Sequence, residues 1–239
     1  MADGRAAEGI RRRGLRDDVH ERLLQLLLSG DIVPGERLAI DTIARQLAVS
    51  PTPVREALAL LERTGLVTRE ALKGYRAAPP LGVEQLAELF EARLMLEVTA
   101  ARLATPADDD MLRRLRAAED AHTAAGERII TALSAGDRDL ALTTDYFAKD
   151  VAFHRVILDR SGNRYIEEMS DTLAAQIHRM RQMVPYGVTD VRDAIAEHEV
   201  IVAAFASADP DAPERAMRAH IEGVRARSLK HARELAARG

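Results

Sequence analysis

Apolar residues fall at helical spacing along most of this chain, and the places where that spacing breaks predict its organisation. Over residues 15–29, Val19, Leu23, Leu24, Leu27 and Leu28 share one helical face, and Gly30 closes the helix. Residues 32–38 carry the dipeptide Pro34-Gly35 and predict an extended turn. A short helix is expected from Asp41, its N-cap, through Ile43, Ala44 and Leu47, and Ala48-Val49 then turn tightly into the next. In that next helix Ser50 suits the N-cap, while Pro51 and Pro53 are tolerated only in a first turn, where a missing N–H leaves no bond unmade. It continues through Ala57, Leu58, Leu61 and Glu62 until Gly65 stops it. Residues 66–69 alternate like a strand, Lys73-Gly74 reads as a turn, and Tyr75-Arg76-Ala77 returns as a second strand. Three helices and a two-stranded ribbon predict a winged helix-turn-helix over residues 16–78, preceded by an arm at 1–15. The Arg11-Arg12-Arg13 run in that arm reads either as a solvated tail or as a contact to DNA phosphates.

After a stiff Pro-rich linker at 79–82, only helical periodicity remains. Helices are expected over 83–104, 107–135, 137–160, 163–183, 189–208 and 210–236, the second open to a break at Gly126. Breaks fall at Pro106, Gly136, Ser161-Gly162-Asn163, Pro185, Gly187 and Pro210. The fold class is therefore mainly α, a winged helix-turn-helix followed by an antiparallel bundle over 83–239.

Composition narrows the function. With 239 residues, 47% hydrophobic, there is material for two domains. Aromatic residues at 3%, with no tryptophan, argue against recognition of single strands by stacking. The absence of cysteine excludes disulfides and thiolate metal sites. No apolar run of membrane length and no signal-peptide core occurs, so a cytoplasmic protein is expected. The net charge of −4 divides unevenly: residues 1–80 hold 13 cations against 11 anions, and residues 81–239 hold 21 against 27. That asymmetry has the sign a DNA-binding N-terminal region needs, but is too small to establish one.

Two groups of residues carry candidate chemistry. The helix that starts after Ser50 offers Ser50, Thr52 and Arg55 near its start and an apolar stripe later, which suits insertion into a major groove. Arg55 reads alternatively as a surface ion pair with Glu62. In the bundle, the inward stripes read Phe147, Val151, His154, Leu158, then Val191, Ile195, His198, Val202, Phe205, and finally Met217, His220, Ile221, Val224. Each contains one histidine, and Asp150 lies one turn before His154. Buried imidazoles are costly unless paired or ligated. Three of them with a carboxylate form a set suited to Zn²⁺ or Ni²⁺.

The segments P-G-E-R-L and I-A-R-Q-L-A-V-S-P-T-P-V-R-E-A-L, followed by a Gly-bearing wing, make residues 17–78 resemble the DNA-binding domain of GntR-family bacterial transcription regulators. The resemblance implies DNA contacts from Ser50, Thr52 and Arg55 and a wing tip at Lys73 and Gly74. Pro51 stands where many members have Arg, and some members have a DNA-contacting Arg near Asp41. Arg45 either replaces one of these at a phosphate or is a solvated surface residue. D-x-x-x-H, E-H-x-x-I and R-A-H, with E-A-R-L-M-L-E at 91–97 and S-G-N at 161–163, resemble the helical FCD ligand-binding domain of the FadR-like subgroup. That resemblance implies metal positions at Asp150, His154, His198 and His220. It also places Arg93 at an effector pocket; a pair with Glu97, its i+4 neighbour, is the equal alternative. Asn163 reads as an N-cap.

The expectation is a homodimeric, metabolite-responsive regulator, most simply a repressor. It would read a palindromic DNA operator and bind a divalent metal and a small carboxylate effector. No catalytic residues are assigned. The alternatives are a metal-dependent hydrolase and a sensor whose signal is the metal itself.

Overall fold

The computed structural model describes residues 4–28, 30–70, 74–79, 81–137, 139–183 and 187–237. The chain divides into two compact units, residues 1–80 and 81–239. In the first, α1 (Gly4–Leu28), α2 (Ile40–Gln46) and α3 (Pro51–Arg63) accompany strands β1 (Arg37–Leu38), β2 (Val67–Glu70) and β3 (Gly74–Ala77). Helix α1 begins ahead of the expected start at residue 15. Val19, Leu23 and Leu27 of α1 are buried with Val54, Ala57, Leu58 and Leu61 of α3, so the two apolar stripes meet.

Two local features depart from the sequence expectation. Ala39, not Asp41, is the N-cap of α2, and Asp41 lies in the first turn, where its charge complements the helix N-terminus. The sheet has three strands in the order β1-β3-β2, all antiparallel, rather than two. Arg37 and Leu38 pair with Arg76 and Tyr75, because the turn at Pro34-Gly35 brings the extended segment back along β3. Two-residue strands leave no periodicity to read.

The C-terminal ends of α2 and α3 close in the same way. At α3, Gly65 takes φ +71°, with Leu66 N–H donating to Leu61 C=O and Gly65 N–H to Glu62 C=O. At α2, Val49 donates to Ala44 and Ala48 to Arg45, with Ala48 at φ +53°. A left-handed alanine is costly, so the turn is held by its neighbours rather than by its own preference.

The second unit is a bundle of α4 (Val83–Leu103), α5 (Asp109–Ser134), α6 (Leu140–Arg160), α7 (Arg164–Met183), α8 (Val188–Phe205) and α9 (Ala212–Ala236). Helices α5, α6 and α7 begin on side-chain caps. Asp108 accepts from Met111 N–H at 2.8 Å, Asp139 from Ala141 N–H at 2.7 Å, and Asn163 from Tyr165 N–H at 3.1 Å. Phe90, Ala100, Leu115, Phe153, Ile201 and Ile221, from five helices, are fully buried in one core. The buried face of α6 is wider than the expected stripe: His154 and Leu158 are buried as expected, Tyr146, Asp150, Phe153 and Ile157 are buried beside them, and Val151 is 36% exposed. Four-residue spacing fits both faces of a helix this rich in apolar residues, and packing against α4 and α5 chooses between them.

Helix α5 is unbroken at Gly126, and the reason is packing. A Cβ there would lie 2.6 Å from Ile195 Cδ1 and 3.3 Å from Val191 Cγ1, so the glycine lets α5 and α8 approach closely. Gly126→Val should therefore destabilise the bundle by about 1–3 kcal/mol through overpacking, read as a lowered calorimetric midpoint. An unchanged midpoint would mean that the helices separate at no cost.

Candidate functional site

Two groups of side chains stand out, one in each unit. On α3, Ser50 occupies the N-cap at φ −73° and ψ 161°, yet its hydroxyl caps nothing. The reason is local: Pro53 stands at N3 and has no N–H to offer, and Pro51 lacks one at N1. Ser50, Thr52 and Arg55 are all exposed, and their side chains make no hydrogen bond or ion pair among the described residues. The pair of Arg55 with Glu62 does not form. Arg45 is turned back along α2, with Nε 3.3 Å from Asp41 C=O. Gly74 is exposed and opens β3 at φ +89°, a conformation open to glycine; Lys73 lies outside the described residues.

The second group lies inside the bundle. Asp150 and His154 of α6, His198 of α8 and His220 of α9 are at most 6% exposed. The ring nitrogens of His154, His198 and His220 include one from each that lies within 4.8 Å of the others. Asp150 Oδ1 is 3.7 Å from His198 Nε2, and Asp150 Oδ2 is 3.9 Å from His154 Nε2. Phe153 stacks on His198 with centroids 4.0 Å apart, which sets the plane of that ring.

Two of the imidazoles are oriented from behind in the same manner. His220 Nδ1 lies 2.8 Å from Glu197 Oε2, and Arg227 grips the same carboxylate with both terminal nitrogens, at 2.7 and 2.9 Å. His154 Nδ1 lies 2.7 Å from Glu97 Oε2, off the line of a straight hydrogen bond, and Arg93 Nε donates to Glu97 Oε1 at 2.7 Å. A carboxylate at Nδ1 leaves Nε2 as the free lone pair, which is how ligating imidazoles are held. Gly223 of α9 makes room for this: a Cβ there would lie 2.7 Å from Glu197 Oε1.

Electrostatics agree with that arrangement. Burial alone would raise the Glu97 carboxyl, but the Arg93 guanidinium and His154 hold it well below the usual carboxylate range. Glu197 is likewise lowered against its burial by His220 and Arg227. Burial, reinforced by the neighbouring His220, pushes His198 well below the ordinary imidazole value. Burial lowers His220 too, against the pull of Glu197. Neutral imidazoles beside ionised carboxylates are the protonation states a metal requires.

His154 Nε2 and both ring nitrogens of His198 are buried without a hydrogen-bond partner among the described residues. Nitrogen and oxygen donors in this number fit a borderline divalent ion. Two cavities flank the cluster, and Arg93 and Asp150 line both. Arg93 is 1% exposed; it pairs with Glu97 through Nε while its Nη1 is buried without a hydrogen-bond partner. The first cavity, about 90 Å³, also touches Tyr146, His220 and Arg227.

Sequence reasoning missed Glu97 and Glu197 as orienting groups, and it missed His122. His122 is 0% exposed, with its ring 4.5 Å from that of His198. A signal existed, since Met111, Leu115, His122, Ala125 and Ile129 form the buried stripe of α5.

The buried imidazoles also set a pH dependence. As pH falls below about 6.5 an unfolded chain takes up protons at His198 and His220, while the folded chain resists until lower pH. The stability these rings contribute is complete above that value and is lost as pH falls through the window beneath it. Metal-free protein should show a thermal midpoint that drops between pH 7 and pH 5; a flat profile would mean that the rings protonate in place.

The arrangement has known counterparts. Residues 88–223 match the FCD domain model, and residues 15–77 match that of bacterial regulatory proteins of the gntR family. The chain is 28% identical over 236 residues to the uncharacterized HTH-type transcriptional regulator YcbG of Bacillus subtilis, covering 92% of this chain and 93% of that protein. It is 26% identical to the HTH-type transcriptional repressor GlaR of Escherichia coli, covering 82% and 87%. It is 28% identical to the repressor NanR of Cronobacter sakazakii, covering 90% and 85%. In fold it resembles McbR/YncC of E. coli, with TM-score 0.73 and 22% identity over 90% of this chain and 97% of that one. A chain that joins this winged helix-turn-helix to this helical domain belongs to the GntR family of transcription regulators, with an FCD domain as its C-terminal unit.

Proposed function

We propose that this regulator binds its operator DNA through Ser50, Thr52, Arg55 and the wing at Lys73 and Gly74, as a homodimer on a palindromic site. One winged helix buries too little surface to be specific alone, and two-fold symmetry doubles the contact. Arg45 is a weaker candidate for a phosphate contact, because it is turned toward its own helix. The bundle would hold a divalent ion, zinc or nickel, through Asp150, His154, His198 and His220. The observation that carries this reading is the set of buried ring nitrogens without partners, two of the rings braced by Arg–carboxylate pairs.

A metal in that position supplies a Lewis-acidic anchor for an anionic oxygen. The chain's own part is to orient its ligands and to offer Arg93 Nη1 beside them. A small organic acid therefore fits as effector. Its binding shifts operator affinity if it prefers one arrangement of the dimer, which needs a coupling of about 1–3 kcal/mol. GlaR and NanR carry the name repressor, and repression is the simplest outcome here as well. The family and the absence of a membrane-length apolar helix among the described residues favour action in the cytoplasm.

Three outcomes test this. Arg55→Ala should weaken operator binding by about 1–3 kcal/mol with an unchanged melting curve; retained affinity refutes its role. The double variant His198→Ala with His220→Ala should lose bound metal by elemental analysis. Titration calorimetry of the metal-loaded protein against small carboxylates should show saturable binding without turnover. Product formation would instead favour a hydrolase, and operator affinity that follows metal alone would favour a metal sensor.

A further inference from the structure

We propose that His122 is a fifth protein donor to the metal, a reading that rests on the metal site proposed above. His122 comes from α5, a helix that supplies none of the other four donors. A ring nitrogen of His122, a carboxylate oxygen of Asp150 and a ring nitrogen of His198 lie within 4.8 Å of one another. This forms a second triad that shares His198 with the triad of His154, His198 and His220.

The spacing within the second triad identifies its chemistry. His122 Nε2 is 3.9 Å and His198 Nε2 is 3.7 Å from the same atom, Asp150 Oδ1. Both separations exceed a hydrogen bond, which ends near about 3.2 Å. Two donors each about 2.1 Å from one ion stand about 3.0 Å apart as octahedral neighbours, about 3.4 Å apart at the tetrahedral angle and about 4.2 Å apart on opposite sides of the ion. The observed separations fall between these values.

The His122 ring stacks on Tyr146 at 4.8 Å and lies 4.5 Å from that of His198, contacts that hold it beside Asp150. With His122 the chain supplies four nitrogens and one carboxylate. That set fills most of an octahedral shell and favours nickel or cobalt over the tetrahedral preference of zinc.

The test uses Co²⁺ as probe on the full chain. His122→Phe keeps the stacking and removes the donor. It should lower Co²⁺ affinity about tenfold or more and intensify and shift the visible ligand-field bands as the coordination number falls. Co²⁺ affinity and bands identical to those of the unaltered protein, in a variant with unchanged circular dichroism, would overturn the proposal. Should His122→Phe fail to fold, the Co²⁺-loaded unaltered protein decides by proton NMR. Four paramagnetically shifted imidazole N–H signals support the fifth donor, and three overturn it. Failure of the metal reading itself looks different, because then the unaltered protein shows no ligand-field bands at all.

Discussion

The helical unit depends on two Arg–carboxylate pairs behind its histidines, one buried and one half-buried. Arg93 with Glu97, and Arg227 with Glu197, each present a carboxylate to the Nδ1 of one imidazole. Taken alone, such a pair is a poor source of stability, since desolvation offsets most of its attraction. Removing one member is another matter. At the buried Arg93–Glu97 pair it strands a charge, at a cost of about 3–5 kcal/mol. The pairs are therefore best understood as orienting devices: each locks a ring into one tautomer and aims its other nitrogen at the shared centre. An apolar filling of the same space would be as stable and would aim nothing.

The rest of the bundle meets the geometric demand those pairs impose. Asp150 and His154 of α6, His198 of α8 and His220 of α9 meet in one place, so these helices approach closely around a cluster of polar groups. Gly223 makes room for the Glu197 carboxylate, and Gly126 lets α8 sit against α5. Phe153 stacks on His198 and Tyr146 on His122, so aromatic rings close over two of the imidazoles. The capping aspartates at α5 and α6 then fix where each helix begins, and so which turn carries the histidine.

In the N-terminal unit a single substitution pattern has two consequences. Prolines at the first and third positions of α3 pre-set its first turn, and they also leave Ser50 without the donor an N-cap hydroxyl ordinarily takes. The hydroxyl is thereby turned outward together with Thr52 and Arg55. Arg55 is the cation on this exposed first-turn surface.

Much of this was legible in the chain itself. Helical periodicity, with Pro, Gly and Asn at the junctions, located the bundle helices to within a few residues. Asn163 was readable as a cap and Asp150, His154, His198 and His220 as intruders on apolar stripes. What the sequence did not determine was which residues meet. The third strand needed a partner 39 residues away at Arg76, and a two-residue strand has no pattern of its own. Val151 and Phe153 fit helical stripes equally well until neighbouring helices chose the face. Glu97 was readable as a partner of Arg93 but not of His154, and nothing set Glu197 opposite His220 or His122 opposite Asp150, because spacing along one helix reports which face a residue occupies and nothing about what lies opposite. That is decided by how far each helix is rotated and shifted against the next, a property of the packed core alone.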